Sequence, residues 1–193
     1  MREAYRADIS SDEIKELPIL KFDGEIVVVD NMAKFENNIK DIFNHDFAGI
    51  DTETRPSFQK GFQYKVSLLQ IFCKNKCYLF RLNMIGFPDE LRLWLENESI
   101  KKVGLSLHDD MRELRKHKNI SPQGLIDLQT IAKDYGIEAL SLRKIAAIVL
   151  GGQISKRQQL SNWEAPVLNE KQQVYAATDA WSCLKIYNQL TAK

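Results

Sequence analysis

The apolar residues change period part-way along the chain, and this restricts the fold more than any other feature of the sequence. Residues 25–30, 47–52, 65–73 and 76–82 are short, largely β-branched or apolar runs that predict strands. Lys74-Asn75 between the last two predicts an antiparallel hairpin. From Asp127 onward the spacing is helical: 127–135 closed by Gly136, 142–150 closed by Gly151-Gly152, and 170–190. Helices also interleave the strands, at 31–43 with Met32, Phe35, Ile39 and Phe43 on one face, and at 90–95 and 107–116, with a short strand at 101–105 between the last two. Ser10 with Glu13 three residues later forms a capping box ahead of a short helix that Pro18 ends. Residues 153–168 are polar and irregular. Strands with interleaved helices, then helices alone, give an α/β fold: a mixed sheet flanked by helices, with a helical C-terminal half. The expectation is one domain over residues 1–193, with 1–24 an N-terminal extension packed on it or leading into it.

Composition narrows the function. The 193 residues are 44% hydrophobic, and 27 basic residues offset 26 acidic ones to leave a formal charge of +1. Such a chain has a sizeable core and is not intrinsically disordered. A uniformly basic, histone-like nucleic-acid binder is excluded as well, so any nucleic acid must be met by a local patch or site. Residues 1–18 lack the apolar stretch of a secretory signal. The longest apolar run, 145–150, is far short of a membrane span. Three cysteines, Cys73, Cys77 and Cys183, cannot all pair within the chain. They read as reduced thiols of an intracellular, cytoplasmic protein without a membrane partner. The Cys73–Cys77 spacing suits zinc, but no second pair of ligands follows, and structural thiols are the simpler reading.

Three segments carry carboxylates where carboxylates are costly. Asp51 and Glu53 end an apolar strand and, two residues apart, project to one face. Taken alone they fit an Asp-capped turn and a solvated Glu equally well. Tyr175 and Asp179 are one turn apart, about 6 Å along a helix, and fall within roughly 40° of Ile186 on a helix with little polar face. The bland alternative is a Tyr–Asp hydrogen bond in a packing seam. In the 107–116 helix, Leu107, Met111 and Leu114 define a buried face; Asp110 lies about 60° from its centre and Asp109 almost directly away. His108 is neither plainly buried nor plainly exposed, and a lone histidine reads first as a surface residue. One hypothesis joins the three segments. Oxygen-rich clusters bind hard divalent cations such as Mg²⁺ or Mn²⁺, and two such ions about 3.5–4 Å apart suit phosphodiester cleavage.

These motifs resemble the DEDD 3′–5′ exonucleases, in their tyrosine-containing subgroup. Asp51-Thr52-Glu53 matches the first motif, Asp110 within residues 103–114 the second, and Tyr175-Ala176-Ala177-Thr178-Asp179 the third. Residues 65–70, 76–80 and 160–163 also fit the Werner-type pattern, and ribonuclease D is similar more loosely. The resemblance covers about residues 48–190 and is specific as an ordered set. It implies a ribonuclease H-like fold with a mixed five-stranded sheet, and release of nucleoside 5′-monophosphates from a nucleic acid, DNA or RNA, with a free 3′ end. It implies that Asp51, Glu53 and Asp179 hold one metal ion, and that Asp51 and Asp110 hold a second. Glu53 and Tyr175 would orient the attacking water. The chain leaves no room for the helicase that accompanies Werner-type domains, nor for the C-terminal helical domains of ribonuclease D. Lys156, Arg157, Arg143 and Lys144 are placed for phosphate contact or are plain solubilising charge. A non-cutting binding module would be expected to have lost an acid, and all four are present; a hydrolase of small nucleotides is the other alternative.

Overall fold

The computed structural model describes residues 5–192. Among these, six strands form one sheet: β1 (Glu25–Val29), β2 (Phe47–Thr54), β3 (Val66–Cys73), β4 (Lys76–Phe80), β5 (Lys101–Gly104) and β6 (Leu125–Asp127), in the order β1-β4-β3-β2-β5-β6. The sheet is mixed: β2–β3 and β3–β4 are antiparallel, while β1–β4, β2–β5 and β5–β6 are parallel. The expected β3–β4 hairpin is present, with Lys74 taking the left-handed backbone (φ 57°) at its turn.

Helices cover both faces. α8 (Glu170–Thr191), α7 (Leu142–Leu150) and α6 (Leu128–Asp134) lie on one side, where Ala176, Ala177, Ala180 and Cys183 meet Leu68, Phe72 and Leu79. On the other side α2 (Met32–Ile42), α4 (Asp89–Glu96) and α5 (Leu107–Leu114) bring Phe35, Ile39, Trp94, Leu107 and Met111 against Ile50, Leu69, Ile71 and Phe80. This double cover explains why β3 is apolar nearly throughout rather than alternating: all eight of its residues are buried. The N-terminal segment folds onto α7. Ser10 and Glu13 close the expected capping box on α1 (Ser11–Lys15), Ile9 and Ile14 are buried with Ala147, and Leu20 N–H donates to the Gln153 carbonyl at 2.8 Å.

Two elements depart from the expectation. The sheet has six strands rather than five, because Leu125–Asp127 pairs in parallel with β5 before α6 begins; Asp127 is that helix's N-cap, not its first residue. The strand expected to reach residue 82 stops at Phe80. Arg81 is buried and donates to the Ala165 carbonyl at 2.5 Å, and Leu82–Ile85 turns into a short helix, α3.

α8 and β2 approach closely at Gly49. A Cβ there would lie 2.0 Å from the Ala180 carbonyl oxygen and 3.1 Å from Leu184 Cβ, so α8 rests its main chain directly on β2. Gly49→Ala must push the helix away, and overpacking of this kind costs about 1–3 kcal/mol. Differential scanning calorimetry should show a drop in Tm of at least about 2 °C; an unchanged Tm would mean that the contact is not tight.

Candidate active site

β2 lies centrally in the sheet, and its last residues deliver the acids. Asp51 and Glu53 point to the α8 side, as their spacing predicts, and Gly49 on the same face lets α8 bring Asp179 down onto them. Asp51, Glu53 and Asp179 each offer an oxygen within 4.8 Å of the others; Asp51 is half-buried and the other two are buried. Tyr175, one turn before Asp179, hydrogen-bonds through its phenol to the Asp179 carboxylate, and its ring lies 6.0 Å from that of the buried Trp163.

Asp110 is placed differently. It sits in the first turn of α5, in the layer opposite α8, and Thr52 Oγ1 donates to its Oδ1 at 2.5 Å. The three-acid cluster therefore forms without Asp110, which stands near Asp51, close enough to raise that group's pKa, but outside the tight group. Asp109 faces away, exposed and paired with Arg112 at 2.7 Å, and His108 is exposed. Thr52, to which the motifs assign no role, belongs to the site. Its signal was available: lying between two acids that share one strand face, it must point to the other.

The four basic candidates separate. Arg143 and Lys156 line the cavity of about 300 Å³ that holds Asp51, Glu53, Tyr175 and Asp179. The Arg143 Nε is buried and has no hydrogen-bond partner among the described residues. Lys144 is bound to Asp8 at 2.7 Å, and Arg157 lines a neighbouring cleft with Lys21 and Lys171. The three cysteines are buried in the core, where burial pushes the Cys73 thiol up to about 12.

With no cation among them, the acids resist ionisation. Burial, then Asp51 and Asp179, push Glu53 up to about 10. Burial raises Asp179 to about 7 against the opposing hydrogen bond from Tyr175, and Asp110 to about 6 against that from Thr52. Asp51 is raised well above the ordinary carboxylate range by burial, then by Asp179 and Asp110. Tyr175 is driven upward by burial and by Asp179, Glu53 and Asp51. A cluster whose donors are all carboxylate oxygens, and which is this reluctant to carry its own charge, fits a hard divalent cation.

The sequence profile describing the 3′–5′ exonuclease domain matches residues 26–193. The chain belongs to the 3′–5′ exonuclease family. Exonucleases of this family depend on divalent metal, and the carboxylate cluster for it is present. The chain is 33% identical over 184 residues to the mouse bifunctional 3′-5′ exonuclease/ATP-dependent helicase WRN, covering 90% of this chain and 13% of the mouse protein. To an Arabidopsis thaliana 3′-5′ exonuclease it is 29% identical over 204 residues, covering 96% and 70%. Among solved structures, the Aedes aegypti Nibbler EXO domain superposes with a TM-score of 0.77 at 22% identity, covering 86% of this chain and 87% of that one. Escherichia coli RNase D does so with 0.77 at 23%, covering 86% and 44%. At these identities the structures attest to the fold, which is that of the RNase D exonuclease domains, ribonuclease H-like as the motifs implied. Among the described residues, no helix is long and apolar enough to cross a membrane.

The raised acids have a thermodynamic consequence. An acid with a higher pKa folded than unfolded binds more protons in the folded state, so its contribution is whole below the unfolded value and lost as pH rises through the folded one. For Asp110 and Asp179 that window runs from 3.8 to about 6 and about 7, and for Glu53 from 4.5 to about 10. The metal-free protein should therefore melt at a lower temperature at pH 8 than at pH 5.5. Asp179→Asn should raise the metal-free Tm at pH 8 by at least about 2 °C, and added Mg²⁺ or Mn²⁺ should stabilise the wild type more than this variant. A flat Tm between the two pH values would refute the electrostatic account.

Proposed function

We propose that this chain is a metal-dependent 3′–5′ exonuclease, one domain over its length, that hydrolyses the terminal phosphodiester of a DNA or RNA strand and releases nucleoside 5′-monophosphates. The observation that carries the reading is the Asp51–Glu53–Asp179 cluster, whose oxygens converge within 4.8 Å beside Tyr175. In this reading Asp51, Glu53 and Asp179 hold one Mg²⁺ or Mn²⁺ ion, and Asp51 with Asp110 holds a second. When bound, such ions supply Lewis acidity, lowering the pKa of a water and offsetting charge on the departing oxygen.

The residues divide the remaining work. Glu53, raised to about 10 in the metal-free site, would hold a cation as the carboxylate and would accept a hydrogen bond from the attacking water. In the metal-free site burial and the neighbouring carboxylates raise the Tyr175 pKa, which keeps the phenol protonated there. It therefore positions by donating a hydrogen bond and does not act as a base. Thr52 fixes the Asp110 carboxylate through its 2.5 Å hydrogen bond. Arg143 and Lys156, which line the same cavity, supply positive charge for the scissile phosphate. A cytoplasmic location belongs to the same proposal, supported by three buried unpaired thiols.

The decisive experiment uses a 5′-labelled oligonucleotide with Mg²⁺ or Mn²⁺. The wild type should give a ladder shortening from the 3′ end. Asp51→Asn and Asp179→Asn should each lower the rate at least about 10³-fold, a loss expected when a polarising site is dismantled, with circular dichroism unchanged. Wild-type activity in both variants would sink the assignment. Tyr175→Phe should lower kcat about 10- to 100-fold while leaving KM and the alkaline limb of the pH profile in place. If that limb moved, the phenol would be titrating and the positioning role would be wrong.

A further inference from the structure

A buried amide beside the carboxylates is left without a partner. Gln70 lies in the middle of β3, wholly buried, and neither its Oε1 nor its Nε2 meets a hydrogen-bond partner among the described residues. Leu68 and Phe72 on either side of it pack under α8, whereas Leu69 and Ile71 pack in the opposite layer, so the pleat turns Gln70 to the α8 side. An apolar side chain of the same size would fill that space without the desolvation that an unpaired amide costs. Packing alone gives no reason for an amide here.

The register shows what lies next to it. Asp51 is directly opposite Gln70 on β2, and Glu53, opposite Leu68, is its diagonal neighbour on the same face. Directly opposed residues hold their Cβ atoms about 5 Å apart, and diagonal ones stay within reach of long side chains. On the other flank Leu79 of β4 is opposite Gln70. Arg81, two residues on, continues the same alternation, its backbone N–H still bonded to the Val29 carbonyl. Arg81 is 1% exposed, and its Nη2 donates at 2.5 Å to the Ala165 carbonyl, on the segment that carries Trp163 into the core under α8. Its Nε, like both ends of Gln70, has no partner among the described residues. These unpaired atoms complement their neighbours: an amide N–H faces a carboxylate strand, and an amide oxygen faces the strand of a guanidinium N–H.

We propose that Gln70 is a positioning residue, a neutral link whose Nε2 aims the Asp51 carboxylate while its Oε1 accepts from Arg81. The proposal rests on the metal-dependent exonuclease reading and concerns the acid which that reading gives to both ions. A carboxylate shared between two cations must hold its plane fixed, and a donor locked in the sheet does this without adding charge. The neutrality matters. A lysine at this position would compete with the cations, and a carboxylate would add one more repelling charge. The charge of Arg81 is kept two strands from Asp51 and acts on it through the amide.

The test uses the full chain and separates stability from ion binding. Gln70→Met nearly keeps the volume and removes both polar atoms. Without added metal its Tm by differential scanning calorimetry should equal or exceed that of the wild type, because an unpaired amide leaves the core. Its Mn²⁺ dissociation constant by isothermal titration calorimetry should nevertheless rise about tenfold or more, as should the Mg²⁺ concentration giving half-maximal digestion of a single-stranded oligonucleotide. KM for the oligonucleotide at saturating Mg²⁺ should not change. Arg81→Lys, which keeps the charge and a donor for Ala165, should weaken Mn²⁺ binding at least about twofold in the wild-type background and leave it unchanged in Gln70→Met. Wild-type Mn²⁺ affinity in Gln70→Met overturns the positioning role. A lowered metal-free Tm in that variant assigns Gln70 to packing and overturns it too. Equal effects of Arg81→Lys in both backgrounds overturn the link through the amide. A wild type that neither takes up Mn²⁺ nor shortens the oligonucleotide would overturn the metal-dependent exonuclease reading, and the role of Gln70 with it.

Discussion

The rest of the structure depends on one contact between main chains. At Gly49 the absence of a side chain lets α8 settle onto β2 through the Ala180 carbonyl, closer than any pair of ordinary side chains permits. Asp179 precedes Ala180, and Asp51 lies two residues after Gly49, so the packing contact and the carboxylate cluster are neighbours on the same two elements. Three mutually repelling acids are held together by apolar burial on either side of them: Ala176, Ala177, Cys183 and Leu184 along the helix, with Leu68, Phe72 and Leu79 on the sheet. The core supplies the force, and the glycine decides where it is applied.

That arrangement makes the metal-free site a region of stored electrostatic strain. Burial is the largest cause of the upward shift at every acid of the site, and the neighbouring carboxylates add to it at Asp51 and Glu53. The hydrogen bonds from Tyr175 and Thr52 work in the opposite direction but do not cancel it. In the proposed reading, cations held by these carboxylates would relieve them, which would link ion binding and site stability through shared protons rather than through any change of fold.

Much of this was legible in the sequence, for reasons that can be named. The period-2 rule put Asp51 and Glu53 on one face, and the helical period put Tyr175 with Asp179 and turned Asp109 outward. Long periodic segments such as α8 left little doubt, and Ser10 with Glu13 announced α1. The failures share a cause: features decided by tertiary context rather than by local pattern. Three residues at 125–127 carry no period, so nothing in the sequence marks β6, and its last residue, Asp127, reads as the first of a helix. Arg81 is a charged residue in a buried place, and its carbonyl accepts from Met84 and Ile85, so the chain turns into α3 where the apolar run would continue β4. The hydrogen bond that seats Asp110 comes from Thr52, 58 positions away, and no local pattern announces it.

The Thr52–Asp110 hydrogen bond also makes the sheet a partition. Asp179 reaches the site from the layer above β2 and Asp110 from the layer below, while Asp51 and Thr52 are consecutive residues of the strand between them. The spacing of acids across the site is thus fixed by how two independent hydrophobic layers seat on one strand. A substitution deep in either layer, far from any polar group, changes that spacing by tilting its helix. In the proposed function, cation affinity therefore becomes a gauge of core packing, sensitive to methyl groups that never approach the ion.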